Sequence, residues 1–344
     1  MKKINITSKD VAKLANVSQA TVSYVLNNTH GKSISDKTRK QVLKAVEELN
    51  YTPNNAARVL KTNQANCVAL RLATNISLPR YHAMLQGVRS YLEPKGYNII
   101  LCSNTAQTGR FPDYINACVS HQAIGVIYIA SDNEDIPATD LDYIQANDIP
   151  LVAIDCMKEN PYVSSVNYDY FASTYICADY LIQKGFQKIY YIRPDYDNAK
   201  EVLREKGVKA AVYSANGITM EIHTVLSKDI NSSKLSHVPW YSDSYKKTRL
   251  DIQKIIYTAP NDVCFVCSLG EVDELLAHAL CRKHYLKTDR FPWHTRAVNY
   301  HFAHYEAGLE SARSLLNIVN GMLPVRKLTL EPILNIPNPD LFQI

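Results

Sequence analysis

From Asn66 onward the chain alternates short apolar runs with stretches of helical period, and after Val166 the same rhythm begins again. The runs "CVALRLA", "NIILCS", "GVIYIA" and "PLVAID" read as strands, with "MLQGVRSYLEPKG" and "YINACVSH" as the helices between them. A second series, "STYICADYLIQKG", "KIYYIRP", "VLREKGVKAAVYSANG", "MEIHTVL", "VCFVCS" and "EVDELLAHALCRK", repeats the scheme. Strands that are apolar throughout and separated by helices demand parallel sheets covered on both faces. Two such series imply an α/β fold of two lobes with a cleft between them, where ligands lie beyond the carboxyl ends of the strands.

The first sixty residues do not share this alternation, and at 344 residues the chain is long enough for more than one core. Their charge differs as well. Residues 1–62 hold eleven Lys and Arg against four acids, a balance of +7; with +5 for the whole chain, residues 63–344 carry −2. A basic head on a nearly neutral body is suited to a polyanion.

The head opens with "SKDVAKLANVSQATVSYVLNN", two apolar stripes at helical spacing with a break between them. Thr7 or Ser8 can cap a first helix whose buried side is Val11, Ala12, Leu14 and Ala15. Ser18 can cap a second over residues 19–27, with Val22, Val25 and Leu26 facing inward. Gln19, Ala20, Ser23, Tyr24 and Asn27 then form one outward face of small, hydrogen-bonding and aromatic groups without Glu or Lys. That face suits close approach to base edges in a major groove better than plain solvation. Ser35 caps a third helix, residues 36–49, with the stripe Val42, Leu43, Val46 and Leu49, and Pro53 ends it. Three short helices of this kind make a helix-turn-helix with the second as the recognition helix; the competing reading is an ordinary three-helix bundle.

"DVAKLANVSQATVSYVLNN" followed by "ISDKTRKQVLKAVEELNYTPNNAARVLKT" resembles the DNA-binding head of the LacI/GalR family of bacterial repressors, nearly unbroken over residues 7–62. The resemblance implies base reading by Gln19, Ala20 and Tyr24, and phosphate contacts from Thr7, Ser18, Thr21, Ser23 and Asn27. The stretch "NNAARVLK" is too short to hold a helix alone in water. In the family it is a hinge helix that folds on the operator, with Asn54, Ala57, Arg58 and Leu60 at the minor groove and Leu60 as the wedge that kinks the duplex. The implied organisation is a DNA-binding domain at 1–53, a hinge and linker at 54–65, and a two-lobed core at 66–344. Within that core, the first lobe takes 66–165 and 296–322, and the second takes 166–295 and 323–344.

The core resembles the effector-binding part of the same family, which is similar to periplasmic sugar-binding proteins. Carried over singly, the matching positions put Arg80 and Tyr81 of "LPRYHAMLQG" at the ligand mouth, Asp155 of "AIDC" as a hydroxyl acceptor and Arg204 of "VLREKG" as a clamp. Trp240 or Tyr241 of "VPWYSDSY" falls near where a stacking aromatic sits, and Asp169 of "NYDYFAS" matches a position at the lobe crossover. An acid, a base and a flat ring suit a sugar or sugar phosphate. The chain also departs from the pattern. "CSLGEVDE" has Leu269 and Gly270 where the family has an Asn-Asp pair, and the Gly-Phe-Asp-Asp segment expected further on is replaced by "LKTDRFPWHTRAVNYHF". The effector could therefore be an unusual small molecule, a phosphorylated one, a protein corepressor, or none.

Other chemistry finds little footing. The ten histidines are dispersed; His301 and His304 have a helix-compatible metal spacing without a third ligand, and the glycines, eleven in all, form no phosphate loop. Neither a metal nor another cofactor is expected, and no nucleophile or acid–base set suggests an enzyme. The eight cysteines are scattered through apolar segments as reduced residues, and Cys264 and Cys267 would point to opposite faces of a strand. Without a secretory signal or a run of about eighteen apolar residues, the expected place is the cytoplasm, at the nucleoid, with no membrane partner. The expectation is a homodimeric regulator, most simply a repressor, acting on a pseudo-palindromic double-stranded DNA operator.

Overall fold

The computed structural model describes residues 6–26, 34–51, 65–72, 79–102, 111–130, 135–158, 160–225, 243–260, 262–268, 298–322 and 326–335. They divide into two units, residues 1–64 and 65–344.

In the first unit, α1 spans Ser8–Leu14, α2 spans Gln19–Leu26 and α3 spans Asp36–Glu48. Thr7 starts α1: its backbone N–H and its hydroxyl donate to Asp10 Oδ2 at 2.8 and 2.7 Å. The turn into α2 passes through Asn16 at φ 51°, a left-handed position that Asn tolerates. Ser18 Oγ then accepts from the Thr21 N–H at 3.1 Å, and Ser35 Oγ from that of Thr38 at 3.2 Å. The core is small: Val11, Ala12, Ala15, Val22, Val25, Val42 and Ala45 are buried. Leu14 and Leu43, expected on the inner stripes, are each 49% exposed. Both lie about 100° round the helix axis from the centre of the buried stripe, and a core this small reaches no further.

The second unit begins with the expected alternation. The strands β1 (Cys67–Leu72), β2 (Asn98–Cys102), β3 (Val126–Ile129), β4 (Leu151–Ile154) and β5 (Ser164–Tyr168) join β10 (Lys327–Leu330) in a six-stranded parallel sheet of order β10-β5-β4-β3-β1-β2. Alternate residues feed opposite faces. Val68, Leu70, Ile127, Ile129, Val152 and Ile154 pack under α4 (Pro79–Leu92) and α10 (His304–Val319). Ala69, Val126, Tyr128, Leu151 and Ala153 pack under α5 (Asp113–Val119) and α6 (Ala138–Ala146). Each fully buried Val, Leu or Ile side chain contributes about 1.5–3 kcal/mol relative to exposure. Helices α4 and α10 cross with backbones touching. A Cβ on Gly87 would stand 1.9 Å from Tyr305 O, and one on Gly308 2.0 Å from Met84 O.

After β5 the chain enters α7 (Tyr170–Gln183), β6 (Lys188–Pro194), α8 (Ala199–Ser214), β7 (Thr219–Val225), α9 (Asp243–Thr258) and β8 (Val263–Cys267). These strands form a second parallel sheet of order β7-β6-β8. Cys264 packs with α7 and α8 on one face and Cys267 with α9 on the other, as expected of strand residues three apart.

Two segments depart from the expected lobe limits. The strand β9 (Asn299–His301), expected in the first lobe, pairs antiparallel with β11 (Ile333–Asn335), and Val298, Tyr300 and Leu334 pack with α7, α8 and the second sheet. The strand β10, expected in the second lobe, pairs with β5 of the first sheet from Lys327↔Ser165 to Leu330↔Tyr168. The open edge of β5 supplies the reason: Ser165 N–H donates to Arg326 O at 2.9 Å, and Arg326 N–H to Ser164 Oγ at 3.0 Å. Strand pairing at the crossover, which leaves no mark in the apolar pattern, sets these limits.

Candidate functional site

On α2, Gln19 and Ala20 are exposed while Thr21, Ser23 and Tyr24 are half-buried, and Val22 and Val25 anchor the opposite side. The helix "QATVSYVL" carries no charged residue, so its outward strip is short and wholly neutral. Gln19 Nε2 donates to Ser8 Oγ at 2.7 Å, which ties the start of α2 to the start of α1. Ser18 and Thr21 share a hydroxyl hydrogen bond of 2.9 Å. That bond uses one of the two hydroxyl protons and leaves the other to donate to a phosphate oxygen. Thr7 is engaged with Asp10, whose carboxyl these two bonds hold below its usual range. Asn27 and the hinge positions Asn54, Ala57, Arg58 and Leu60 lie outside the described residues.

In the second unit, the C-terminal ends of β4 and β5 face the start of α8. Asp155 follows β4 at φ 61°, a left-handed conformation, and its N–H donates to Val166 O at 2.9 Å. Each oxygen of its carboxylate has a partner: Tyr170 OH donates to Oδ1 at 2.7 Å, and Lys200 Nζ stands 2.7 Å from Oδ2. Lys200 is 2% exposed. One turn further along α8, the Arg204 guanidinium sits over the Tyr170 ring, 4.5 Å from its centroid, and its Nη1 lies 3.3 Å from Glu201 Oε2. Glu201 is fully buried, accepts from Tyr191 OH at 2.6 Å and has Arg193 Nε at 3.6 Å.

Arg80 and Tyr81 open α4. Tyr81 is 1% exposed, and its hydroxyl lies 3.2 Å from Arg80 Nη2. Beyond them Tyr168, at the end of β5, meets His304 Nδ1 at 2.8 Å and stacks on Phe302 at 4.6 Å between centroids. Burial, then the charges of Arg80 and His301, push the His304 imidazole down to about 4. Burial, then the charge of Asp155, hold the Tyr168 phenol well above its usual range. The imidazole is thus neutral, and its tautomer sets which of the two groups donates in this bond. His301 lies on β9 and His304 opens α10, so they share no helical face, and His304 serves packing.

Of the predicted effector residues, Asp155 and Arg204 are therefore brought together around Tyr170, while Arg80 and Tyr81 act electrostatically on Tyr168, whose ring meets that of Tyr170 edge to face at 6.3 Å between centroids. Trp240, Leu269 and Gly270 lie outside the described residues. Asp169 is the N-cap of α7, with Oδ1 accepting from the Ala172 N–H at 2.8 Å, a structural role. The sequence does not single out Lys200, Tyr170, Tyr168 and Phe302, and it marks His304 only for its spacing from His301. Lys200 had a visible signal, since it precedes Arg204 by four residues and so shares its helical face. Tyr168, Phe302 and His304 meet only because distant segments converge. Among the described residues, no group of His, Cys, Asp and Glu could hold a metal ion, and no helix is long and apolar enough to cross a membrane.

A family model described as "Bacterial regulatory proteins, lacI family" matches residues 7–54, and one described as "Periplasmic binding proteins and sugar binding domain of LacI family" matches residues 65–238. The chain is 31% identical over 232 residues to the HTH-type transcriptional repressor PurR of Aliivibrio salmonicida, a match spanning 67% of this chain and 67% of the relative. Its fold is similar to that of the Lac repressor dimer bound to operator and the anti-inducer ONPF, with a TM-score of 0.67 at 18% identity, covering 96% of this chain and 97% of that one. It is also similar to the transcriptional regulator CelR in complex with cellobiose, with a TM-score of 0.54 at 21% identity, covering 96% and 98%.

Proposed function

The chain belongs to the lacI family of bacterial regulatory proteins, and on that premise we propose that it is a sequence-specific transcriptional repressor, active as a homodimer in the cytoplasm at the nucleoid. The observation that carries this reading is α2. It is a short helix with Val22 and Val25 buried, and Gln19 and Ala20 exposed on a face without charge. Such a face can enter the major groove, where charge-free small and amide side chains reach base edges. Gln19, Ala20 and Tyr24 read bases; Thr7, Ser18, Thr21, Ser23 and Asn27 hold phosphates. Two heads on a dimer meet two half-sites, so the operator is pseudo-palindromic. The residues Asn54, Ala57, Arg58 and Leu60 form the hinge at the minor groove, between a head ending near residue 53 and a core beginning near residue 66.

The core receives the signal. Arg80, Tyr81, Arg204 and Trp240 surround a small-molecule effector, a sugar or sugar phosphate lying beside Asp155, and its binding changes the hinge by favouring one arrangement of the core. A second reading, control by a protein corepressor or no effector at all, is favoured by one observation: both oxygens of Asp155 already have protein partners.

The test is selection of bound sequences from a random duplex pool by the full chain, followed by footprinting. A symmetric pair of half-sites supports the reading. Binding without sequence preference, or no binding across a range of salt, would sink it.

A further inference from the structure

The hydroxyl acceptor expected of the cleft is not open. Asp155 ends a strand of the six-stranded sheet, while Lys200 belongs to α8, which packs with the other sheet. Their ion pair of 2.7 Å joins side chains that are 2% and 9% exposed. Tyr170 OH takes the other carboxylate oxygen at 2.7 Å. With the carboxylate side chain only 9% exposed and a donor already on each oxygen, a neutral hydroxyl arriving at Asp155 competes with an ammonium and a phenol, and removing the ammonium would leave a buried carboxylate without its counter-charge.

Both ends of the pair are held rigidly. On one side, Asp155 is fixed by its left-handed turn and by its N–H bond to Val166 O. On the other, Asn198 caps α8 by accepting from the Glu201 N–H at 2.8 Å, Thr174 Oγ1 donates to Arg204 O, and Gly207 brings α8 against α7 with room for no side chain. Glu201, next to Lys200, is held by Tyr191 OH and faces the guanidinium groups of Arg193 and Arg204. Lys200 therefore projects from a clamped helix to a clamped carboxylate. Leu203 adds an apolar contact to the first core, so the ion pair is the polar part of a mixed junction.

We infer that Lys200 is the resident occupant of the Asp155 acceptor, an internal latch that holds the two sheets of the core together without ligand and bars neutral polyols from this carboxylate. The regulatory meaning of the latch rests on reading the core as the part that receives the signal, but its mechanical meaning does not. A ligand that acts through Asp155 must bring a cationic donor of its own; any other ligand binds beside the closed pair.

The experiment is hydrogen exchange on the full chain, comparing the native protein with Lys200→Met and with the double variant Asp155→Asn, Lys200→Met. Methionine preserves the packing of the lysine stem and removes the charge. The expected result is exchange about tenfold faster in Lys200→Met at residues 155–158 and 198–204 together, with protection largely recovered in the double variant. Unchanged exchange in Lys200→Met, or loosening on one side only, overturns the latch. Should Lys200→Met fail to fold, a double variant that folds reports the same coupling, and one that also fails overturns it. Adding D-ribose or D-glucose at millimolar concentration should leave residues 155–158 of the native protein unaltered; protection there overturns the exclusion of polyols. Operator affinity of Lys200→Met, measured in parallel, reads the regulatory role apart from the latch: loosened exchange with unchanged affinity keeps the latch and removes its part in control.

Discussion

The phenol of Tyr168 stands 2.8 Å from Nδ1 of His304, across 136 positions of sequence, and the two rings meet edge to face with centroids 5.1 Å apart. In the neutral imidazole, Nδ1 accepts from the phenol in one tautomer and donates to the phenol oxygen in the other. Burial and the nearby charges of Arg80 and His301 keep it neutral by lowering its pKa to about 4 from 6.5.

That depression fixes the sign of a pH effect. In the unfolded chain His304 takes up a proton as pH falls through about 6.5, whereas in the folded protein it resists until about 4. Stability is therefore unaffected by this group above pH 7, falls between pH 6.5 and 4, and levels off below. The expected loss from His304 is about 2 kcal/mol across that window, after allowance for its partial exposure. Urea unfolding of the core at pH 7 and at pH 4.5 measures it; His304→Gln, which keeps an acceptor without a titration, should shrink the difference.

The crossing of α4 and α10 leaves no room at Gly87, where a Cβ would meet Tyr305 O at 1.9 Å. Gly87→Ala must push the helices apart and is expected to destabilise the core by roughly 3 kcal/mol, at the upper end of overpacking costs. At Gly207 a Cβ would meet Phe171 O at 2.2 Å, so Gly207→Ala should act similarly on α7 and α8. A thermal midpoint within a degree of the native value in either variant would contradict the packing described.

Ser18 caps α2 through the Thr21 N–H. Ser18→Ala should weaken the head by about 1 kcal/mol. The same substitution should lower affinity for all duplexes alike, since the hydroxyl touches no base in the proposed complex. Binding to operator and to scrambled DNA at two salt concentrations separates the outcomes.

Tyr24, half-buried on α2, is proposed to read a base. Tyr24→Ala should cost about 1–3 kcal/mol at its own operator position and relax preference there, leaving other positions as they were. A uniform drop across sequences would move Tyr24 to the phosphates.

Leu60→Ala tests the hinge: if the leucine wedges the minor groove, the variant should bind the operator more weakly and bend it less. Unchanged affinity and bending, followed by gel shift with permuted sites, would leave the hinge proposal without support.

Much of this protein was decided locally, and so was legible in its residues. The strands β1, β3, β4, β6 and β8 announce themselves because each is buried and largely apolar on two faces. The caps at Thr7, Ser18 and Ser35 show because an N-cap needs only its own helix. The motif of α2 was visible because it depends on spacing within one turn or two, and Asp155 and Arg204 because a resemblance to a known family ran through them. Tertiary structure decided everything that depends on convergence. It turned Leu14 and Leu43 outward, since a core of three short helices closes before reaching them. It gave β10 to the first sheet and β9 to the neighbourhood of the second, because a strand joins whichever edge has unpaired backbone groups. Above all, it put Lys200 into the carboxylate of Asp155, 45 positions away. A sequence can say that an acid ends a strand and a lysine starts a helix, but a buried charge takes as its partner whatever group the fold places beside it.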